Sequence, residues 1–235
     1  MKIRLFTIPN FITLGNLCCG AMAVVSALVW DNLTVAASLL VAAAVCDFFD
    51  GMVARLLGIS GPLGVQLDSL ADDISFGLAP SMMLYVLFER VNGGLLPAWT
   101  GYLVFLFAAF AALRLAKFNI DEEQKTEFRG LPTPAATLVV LSLAVLMEQG
   151  ETAWMTGWMV LAIAVVLSLL MVSNIPMLSL KFKSLALKGN EQRYGLIALF
   201  VVLVVVWSPL YALLSTMVLY ILFSAVQSLA KRSKR

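Results

Sequence analysis

The sequence contains no histidine among its 235 residues. A histidine base, a histidine metal ligand and a Ser-His-Asp triad are therefore excluded. The three cysteines, Cys18, Cys19 and Cys46, lack the C-x-x-C spacing of zinc sites and form no disulfide framework, so we interpret them as small helix-packing residues. Acid–base or metal chemistry must come from Asp, Glu, Lys, Arg, Tyr or Cys.

Charged residues are also scarce, at 13%, whereas 61% of the residues are hydrophobic. Apolar runs of about 20 residues, the length that spans a bilayer, recur along the chain. No polar stretch between them could form a soluble domain. We predict one all-α membrane domain over residues 1–235, a polytopic bundle of about eight spans with a six-helix catalytic core and two further C-terminal helices. The predicted spans are 8–30, 33–57, 66–88, 98–118, 132–149, 153–175, 194–207 and 210–229.

The basic N-terminus resembles a signal peptide, but Asn10 and Asn16 interrupt the apolar run, which continues to Trp30. We expect a retained first helix. With an even number of spans, all but one of the 16 Lys and Arg residues fall on the same side; Arg90 is the exception. The positive-inside rule makes that side cytoplasmic and places both termini there, which predicts a protein of the cytoplasmic (inner) membrane.

Four carboxylates stand close together inside this apolar sequence: Asp47, Asp50, Asp68 and Asp72. Charges within a membrane segment are costly and usually functional. Spacings of three and four residues place each pair on one helix face, at the cytoplasmic ends of the second and third spans. We expect the four groups to meet in one cleft that faces the cytoplasm.

Four adjacent carboxylates need a compensating charge, which divalent cations supply. Oxygen ligands suit Mg²⁺, Mn²⁺ or Ca²⁺, and a pair of such ions can clamp a phosphoryl group. Gly51 would allow close approach to the backbone, and Arg55 could bind phosphate oxygens. Interhelical acid–arginine pairs, a proton relay or a cation transporter are the alternatives, although transporter sites usually lie nearer the bilayer midplane.

The run D-x-x-D-G-x-x-A-R-x8-G-x-x-x-D-x-x-x-D, from Asp47 to Asp72, resembles the signature of the CDP-alcohol phosphotransferases, with every fixed position filled. Segments 8–20, 68–80, 114–119 and 128–134 are similar to those of the serine O-phosphatidyltransferases in that family. Lys117 departs from the arginine expected at its position. The resemblance implies an integral membrane enzyme that transfers a phosphatidyl group from CDP-diacylglycerol to L-serine and releases CMP.

Carried over by residue, the resemblance implies that Asp47, Asp50, Asp68 and Asp72 are ligands of two Mg²⁺ or Mn²⁺ ions and that Asp72 is also the general base. It places Gly51, Arg55 and Gly64 against the CDP moiety. Glycerol phosphate or inositol phosphate is the alternative acceptor. Homodimerisation is implied by the resemblance alone, and we expect membrane lipids but no nucleic acid as partners.

Other polar residues extend the predicted substrate site. Asn10, Thr13 and Asn16 share one stripe of the first span, which must face the bundle interior and either contacts the nucleotide or joins helices. The remaining candidates are grouped as an acceptor site, with helix packing or positive-inside anchoring as the alternatives. They are Ser75, Arg114, Lys117, Asn119 and Arg129.

Overall fold

The computed structural model describes residues 5–59, 61–121, 129–151, 153–177, 195, 202–204 and 209–232. Within these residues the fold is all-α, with no strand apart from one isolated bridge between Arg129 and Pro176. The helices are α1 Ile8–Leu28, α2 Leu33–Leu56, α3 Pro62–Asp72, a π-helical turn Asp73–Leu78, α4 Ala79–Asn92, a 3₁₀ helix Ala98–Phe105, α5 Leu106–Ile120, α6 Thr133–Glu148, α7 Gly157–Val172 and α8 Pro209–Arg232.

Four helical segments are long and apolar enough to cross a membrane: Ile8–Leu28, Leu33–Leu56, Pro62–Asn92 and Ala98–Ile120. Three shorter apolar helices follow, at Thr133–Glu148, Gly157–Val172 and Pro209–Ser224. The predicted all-α membrane bundle is confirmed. Most of the predicted span 194–207 lies outside the described residues.

The third span is longer than predicted, since it covers Pro62–Asn92 rather than 66–88. Pro62 suits the first turn of a helix because its missing N–H needs no partner there, and Gly61 precedes it in extended conformation. The span ends where Gly93 adopts a left-handed conformation with φ 51°. The added first turn contains Pro62 and Gly64, which the hydrophobicity pattern assigns to the connection before the span.

A π-helical turn, Asp73–Leu78, interrupts this span directly after Asp72. Such turns disturb the regular backbone hydrogen bonds and often occur at functional sites. Thr137 on α6 lies with its hydroxyl 3.1 Å from the Phe76 carbonyl and 3.0 Å from its own Thr133 carbonyl. The hydroxyl of Thr137 can therefore donate a hydrogen bond to a backbone carbonyl of the π turn. Backbone polar groups in apolar surroundings need such partners because water is absent.

The end of the bundle opposite the acids carries the exposed tryptophans of the described residues, Trp30, Trp99, Trp154 and Trp158. Tryptophan is enriched at membrane–water interfaces, so these side chains define one interface of the bundle. Arg90, the basic residue predicted to lie apart from the others, is at this end. It pairs with Asp31 at 2.6 Å and with Glu148 at 3.0 Å, which joins the ends of three helical segments.

Candidate active site

Three of the four acids that were predicted to meet in one cleft converge, and Asp72 does not line that cleft. Carboxylate oxygens of Asp47, Asp50 and Asp68 all lie within 4.8 Å of one another. Asp50 is only 5% exposed, whereas Asp47 and Asp68 are partly exposed. Helical spacing places the acids of each helix on one face, and both helices pack against α1, which brings the two faces together. We call Asp47, Asp50 and Asp68 the acidic triad.

Helix α1 supports the acidic triad from a third side. The Thr13 hydroxyl lies 2.5 Å from Asp50 Oδ2 and 3.0 Å from the Pro9 carbonyl oxygen. A hydroxyl has one proton, and the carboxylate is the stronger acceptor, so the bond to Asp50 fixes the carboxylate in one orientation.

Asp72 lies outside the acidic triad, although it is close enough to Asp47 and Asp68 to interact with them electrostatically, and it also contacts α1. The Asn16 amide Nδ2 donates to Asp72 Oδ1 at 3.1 Å. One helical turn beyond, the Ser75 hydroxyl donates to the Asn16 backbone carbonyl at 3.0 Å. Asp72 thus lies one helical turn after Asp68 on the same span, and its carboxylate is held by Asn16 of α1.

A cleft of about 870 Å³ opens over the acidic triad. Its walls combine the three carboxylates with Arg55 and with apolar side chains that are exposed on the outside of the bundle, chiefly Phe48 at 65% and Val65 at 51%. The cleft therefore offers a polar interior and an apolar rim. An amphipathic, phosphate-bearing ligand matches both.

Most residues predicted to contact a nucleotide do line this cleft: Asn10, Thr13, Gly51, Arg55 and Gly64. Asn16 does not, and it is fully buried. A Cβ added at Gly51 would lie 3.5 Å from Arg55 Nη1, and one at Gly64 would lie 3.9 Å from Asn10 Oδ1. Both are ordinary contact distances, so these glycines keep the cleft wide without forming a tight backbone contact.

The predicted acceptor residues are dispersed. Arg114 Nη1 donates to Thr133 Oγ1 at 3.1 Å, and its guanidinium is close enough to Asp72 to interact with it electrostatically. Lys117 and Asn119 are exposed, where Lys117 bonds Asn174 and Asn119 bonds Ser69. None of these residues lines the described cleft.

The other two acceptor candidates lie in packed surroundings. Ser75 is fully buried and bonds α1, so helix joining accounts for its hydroxyl. Arg129 lies in a loop that is tied to the end of α7, where Gly130 N donates to Ile175 O at 2.9 Å.

Two residues of the site have no predicted role in the sequence. Thr133 positions Arg114, and Thr137 supports the π turn after Asp72. Their spacing of four residues places both hydroxyls on one face of α6, and this spacing is the feature of the sequence that could have indicated a shared role. The sequence pattern does not indicate what that face contacts.

The acidic triad is suited to a hard divalent cation. Its donors are all carboxylate oxygens, they converge within 4.8 Å, and one of them is buried with its orientation fixed. Such a donor set favours Mg²⁺ or Mn²⁺ over zinc or copper.

Comparison with known proteins agrees with this chemistry. The sequence model of the CDP-alcohol phosphatidyltransferase family matches residues 6–170. The chain is similar to the CDP-diacylglycerol–serine O-phosphatidyltransferase of Helicobacter pylori, with 34% identity over 95% of this chain and 91% of that protein. The enzyme of the same name from Bacillus subtilis is 40% identical over 57% of this chain and 75% of its own length. The one from Mycobacterium tuberculosis is 35% identical over 74% of this chain, and the match spans 62% of that relative's length.

Proposed function

The chain belongs to the CDP-alcohol phosphatidyltransferase family, and we propose that it transfers the phosphatidyl group of CDP-diacylglycerol to the hydroxyl of L-serine, giving phosphatidylserine and CMP. The observation that carries this proposal is the acidic triad at the base of a cleft with an apolar rim, with Asp72 one turn away. The proposal also gives Asp72 the two roles that the family motif implies, general base and metal ligand.

In the proposed reaction the acidic triad would hold two divalent ions, Mg²⁺ or Mn²⁺. Bound divalent ions supply neutralising charge and polarise phosphoryl oxygens. Asp72 accepts the proton of the serine hydroxyl as the oxygen attacks the β-phosphorus. The bond from that phosphorus to the bridging oxygen breaks, and CMP departs with the electron pair. Arg55 lines the cleft, and we assign to it the phosphate oxygens of the donor.

The rim of the cleft supports a lipid donor. Phe48, Ile59 and Val65 line the cleft and are also exposed on the membrane-facing surface. Acyl chains can therefore remain beside these side chains in lipid while the pyrophosphate reaches the acidic triad. Asn10 and Thr13 stand on the α1 wall, where we place the nucleotide.

The acceptor carboxylate is assigned to Arg114. A guanidinium that lies beside Asp72 and is held by Thr133 can fix an amino-acid carboxylate with its hydroxyl towards the base. Lys117, Asn119 and Arg129 stay acceptor candidates by the family resemblance alone, since none of them lines the described cleft, and Ser75 is assigned to helix joining.

The cleft is proposed to face the cytoplasm, from which serine arrives and to which CMP returns. The asymmetry of the basic residues and the tryptophans at the opposite end support this orientation in the inner membrane, with both termini cytoplasmic. The family resemblance supports a homodimer surrounded by membrane lipids.

The direct test uses the purified full chain in lipid nanodiscs with CDP-diacylglycerol and Mn²⁺ or Mg²⁺. We expect CMP release that depends on L-serine and a phosphatidylserine product. Release that is driven instead by glycerol phosphate or inositol phosphate would reassign the acceptor, and no release with any alcohol would refute the enzyme.

A further inference from the structure

We propose that Asn16 is a positioning residue for Asp72 rather than a nucleotide contact. The inference rests on the proposed function, because it gives Asn16 the task of orienting the base of that reaction. Asn16 lies on α1, 56 residues from Asp72, and the two meet through the 3.1 Å bond from Nδ2 to Oδ1.

The burial of Asn16 separates it from the donor. Its side chain is 0% exposed and it is absent from the cleft wall, whereas Asn10 and Thr13 of the same stripe are on that wall. A group sealed inside the bundle cannot bond a nucleotide in the cleft without helix movement.

The unmatched half of the amide argues against simple helix joining. Asn16 Oδ1 is buried and has no hydrogen-bond partner among the residues that the structure describes. Leaving such an acceptor unpaired costs about 1–3 kcal/mol. A side chain that served only to hold two helices together would be expected to satisfy both ends of its amide. In Asn16 the satisfied end is the one that contacts Asp72.

The surrounding packing fixes this contact in height and rotation. Ser75 donates to the Asn16 carbonyl, and a Cβ on Gly20 would collide with Ser75 and lie 2.7 Å from its Cα. The glycine thus lets α1 approach the π turn directly behind Asp72. The amide of Asn16 therefore reaches Asp72 from a rigid support, as a positioning group requires.

The contact also distinguishes Asp72 from its neighbours. Asp50 receives its α1 bond from Thr13 and converges with the acidic triad, while Asp72 receives its bond from Asn16. The bond from Asn16 to Oδ1 therefore orients the Asp72 carboxylate independently of the bond that orients Asp50.

The test compares Asn16→Leu, which is similar in size and lacks the donor, with Asn16→Asp, which replaces the donor by a carboxylate. Ser26→Ala is the matched control, because Ser26 is another buried polar residue of α1 and bonds Asn32 O far from the acids. For each protein in nanodiscs we measure kcat, KM for both substrates, CDP-diacylglycerol binding and thermal unfolding.

We expect both Asn16 variants to lose about 10- to 100-fold in kcat, the usual effect of removing a partner of a functional group. KM for both substrates and donor affinity should stay within about 2-fold of wild type, since neither substrate contacts Asn16. Ser26→Ala should match wild type in kcat.

A weaker donor affinity with kcat preserved would overturn the inference in favour of a nucleotide contact. Wild-type kinetics would also overturn it, and so would loss of folding in both variants, which would make the role structural. Failure of the proposed function is seen separately, in the wild-type protein, as CMP release that ignores L-serine. If another alcohol drives release, the same comparison is made with that alcohol; if none does, both proposals fall.

Discussion

The Thr13 hydroxyl on α1 lies 2.5 Å from Asp50 Oδ2 on α2, so a helix that contributes no carboxylate orients the most buried member of the acidic triad. Replacing Thr13 by Val removes this hydroxyl, so the buried Asp50 carboxylate loses the hydrogen bond that orients it. We expect metal affinity to fall about 10- to 100-fold, as for other lost partners of metal ligands. Mn²⁺ binding followed by electron paramagnetic resonance would measure the change.

Thr13→Ser is the control for this experiment, because it keeps the hydroxyl and should retain most of the affinity. Equal Mn²⁺ affinity in Thr13→Val and wild type would show that the bond does not support a metal site.

Asp72→Asn should abolish transfer while the donor still binds, since the amide cannot accept the serine proton. General-base catalysis contributes typically 10²–10⁴-fold, and a loss of that size in kcat is expected. Donor binding is measured in the same nanodiscs with labelled CDP-diacylglycerol. The control is Asp31→Asn, at the opposite end of the bundle. Turnover of Asp72→Asn at the wild-type rate would refute the role as base.

Arg114→Met should raise KM for L-serine with little change in KM for CDP-diacylglycerol. A charge-assisted bond contributes roughly 1.5–3 kcal/mol, which corresponds to about 10- to 100-fold in KM. Steady-state kinetics with each substrate varied in turn would show the effect. Arg90→Met, which removes the same charge at the tryptophan end, should leave both constants unchanged. An increase in KM for the donor instead would place Arg114 on the CDP side.

Gly130→Ala should destabilise the protein by more than about 1 kcal/mol, because Gly130 has φ +80° and a Cβ there would collide with the Met171 and Ser173 carbonyl oxygens. Thermal unfolding in nanodiscs would report a lower midpoint. Gly93→Ala is a matched control, since Gly93 also has a positive φ but an added Cβ would meet nothing within 4 Å. Equal midpoints for the two variants would mean that the loop accommodates a side chain by moving.

Much of the fold follows from the sequence pattern. Apolar runs predict the α1, α2 and α5 spans closely, and the spacings Asp47–Asp50 and Asp68–Asp72 predict one acidic face on each of two helices. Helix boundaries are less well predicted where Pro and Gly occupy the first turn, as at Pro62 and Gly64, because a hydrophobicity pattern assigns these residues to a connection.

The sequence predicts which residues belong to the site better than it predicts which of them contact each other. The polar stripe of Asn10, Thr13 and Asn16 is correctly expected to face inward, and all three are buried. The stripe does not reveal that Thr13 bonds Asp50 while Asn16 bonds Asp72. Periodicity defines a face within one helix, whereas the partner of each residue depends on the height and rotation of the neighbouring helix.

The sequence by itself determined the chemistry that is available: four acids and no histidine within apolar helices, at spacings that place each pair of acids on one face. Only the tertiary structure decided how those acids divide, with Asp47, Asp50 and Asp68 converging and Asp72 held by Asn16. The physical reason is that this division depends on interhelical contacts, including the close approach at Gly20 and the π turn after Asp72, whose effects local periodicity cannot encode.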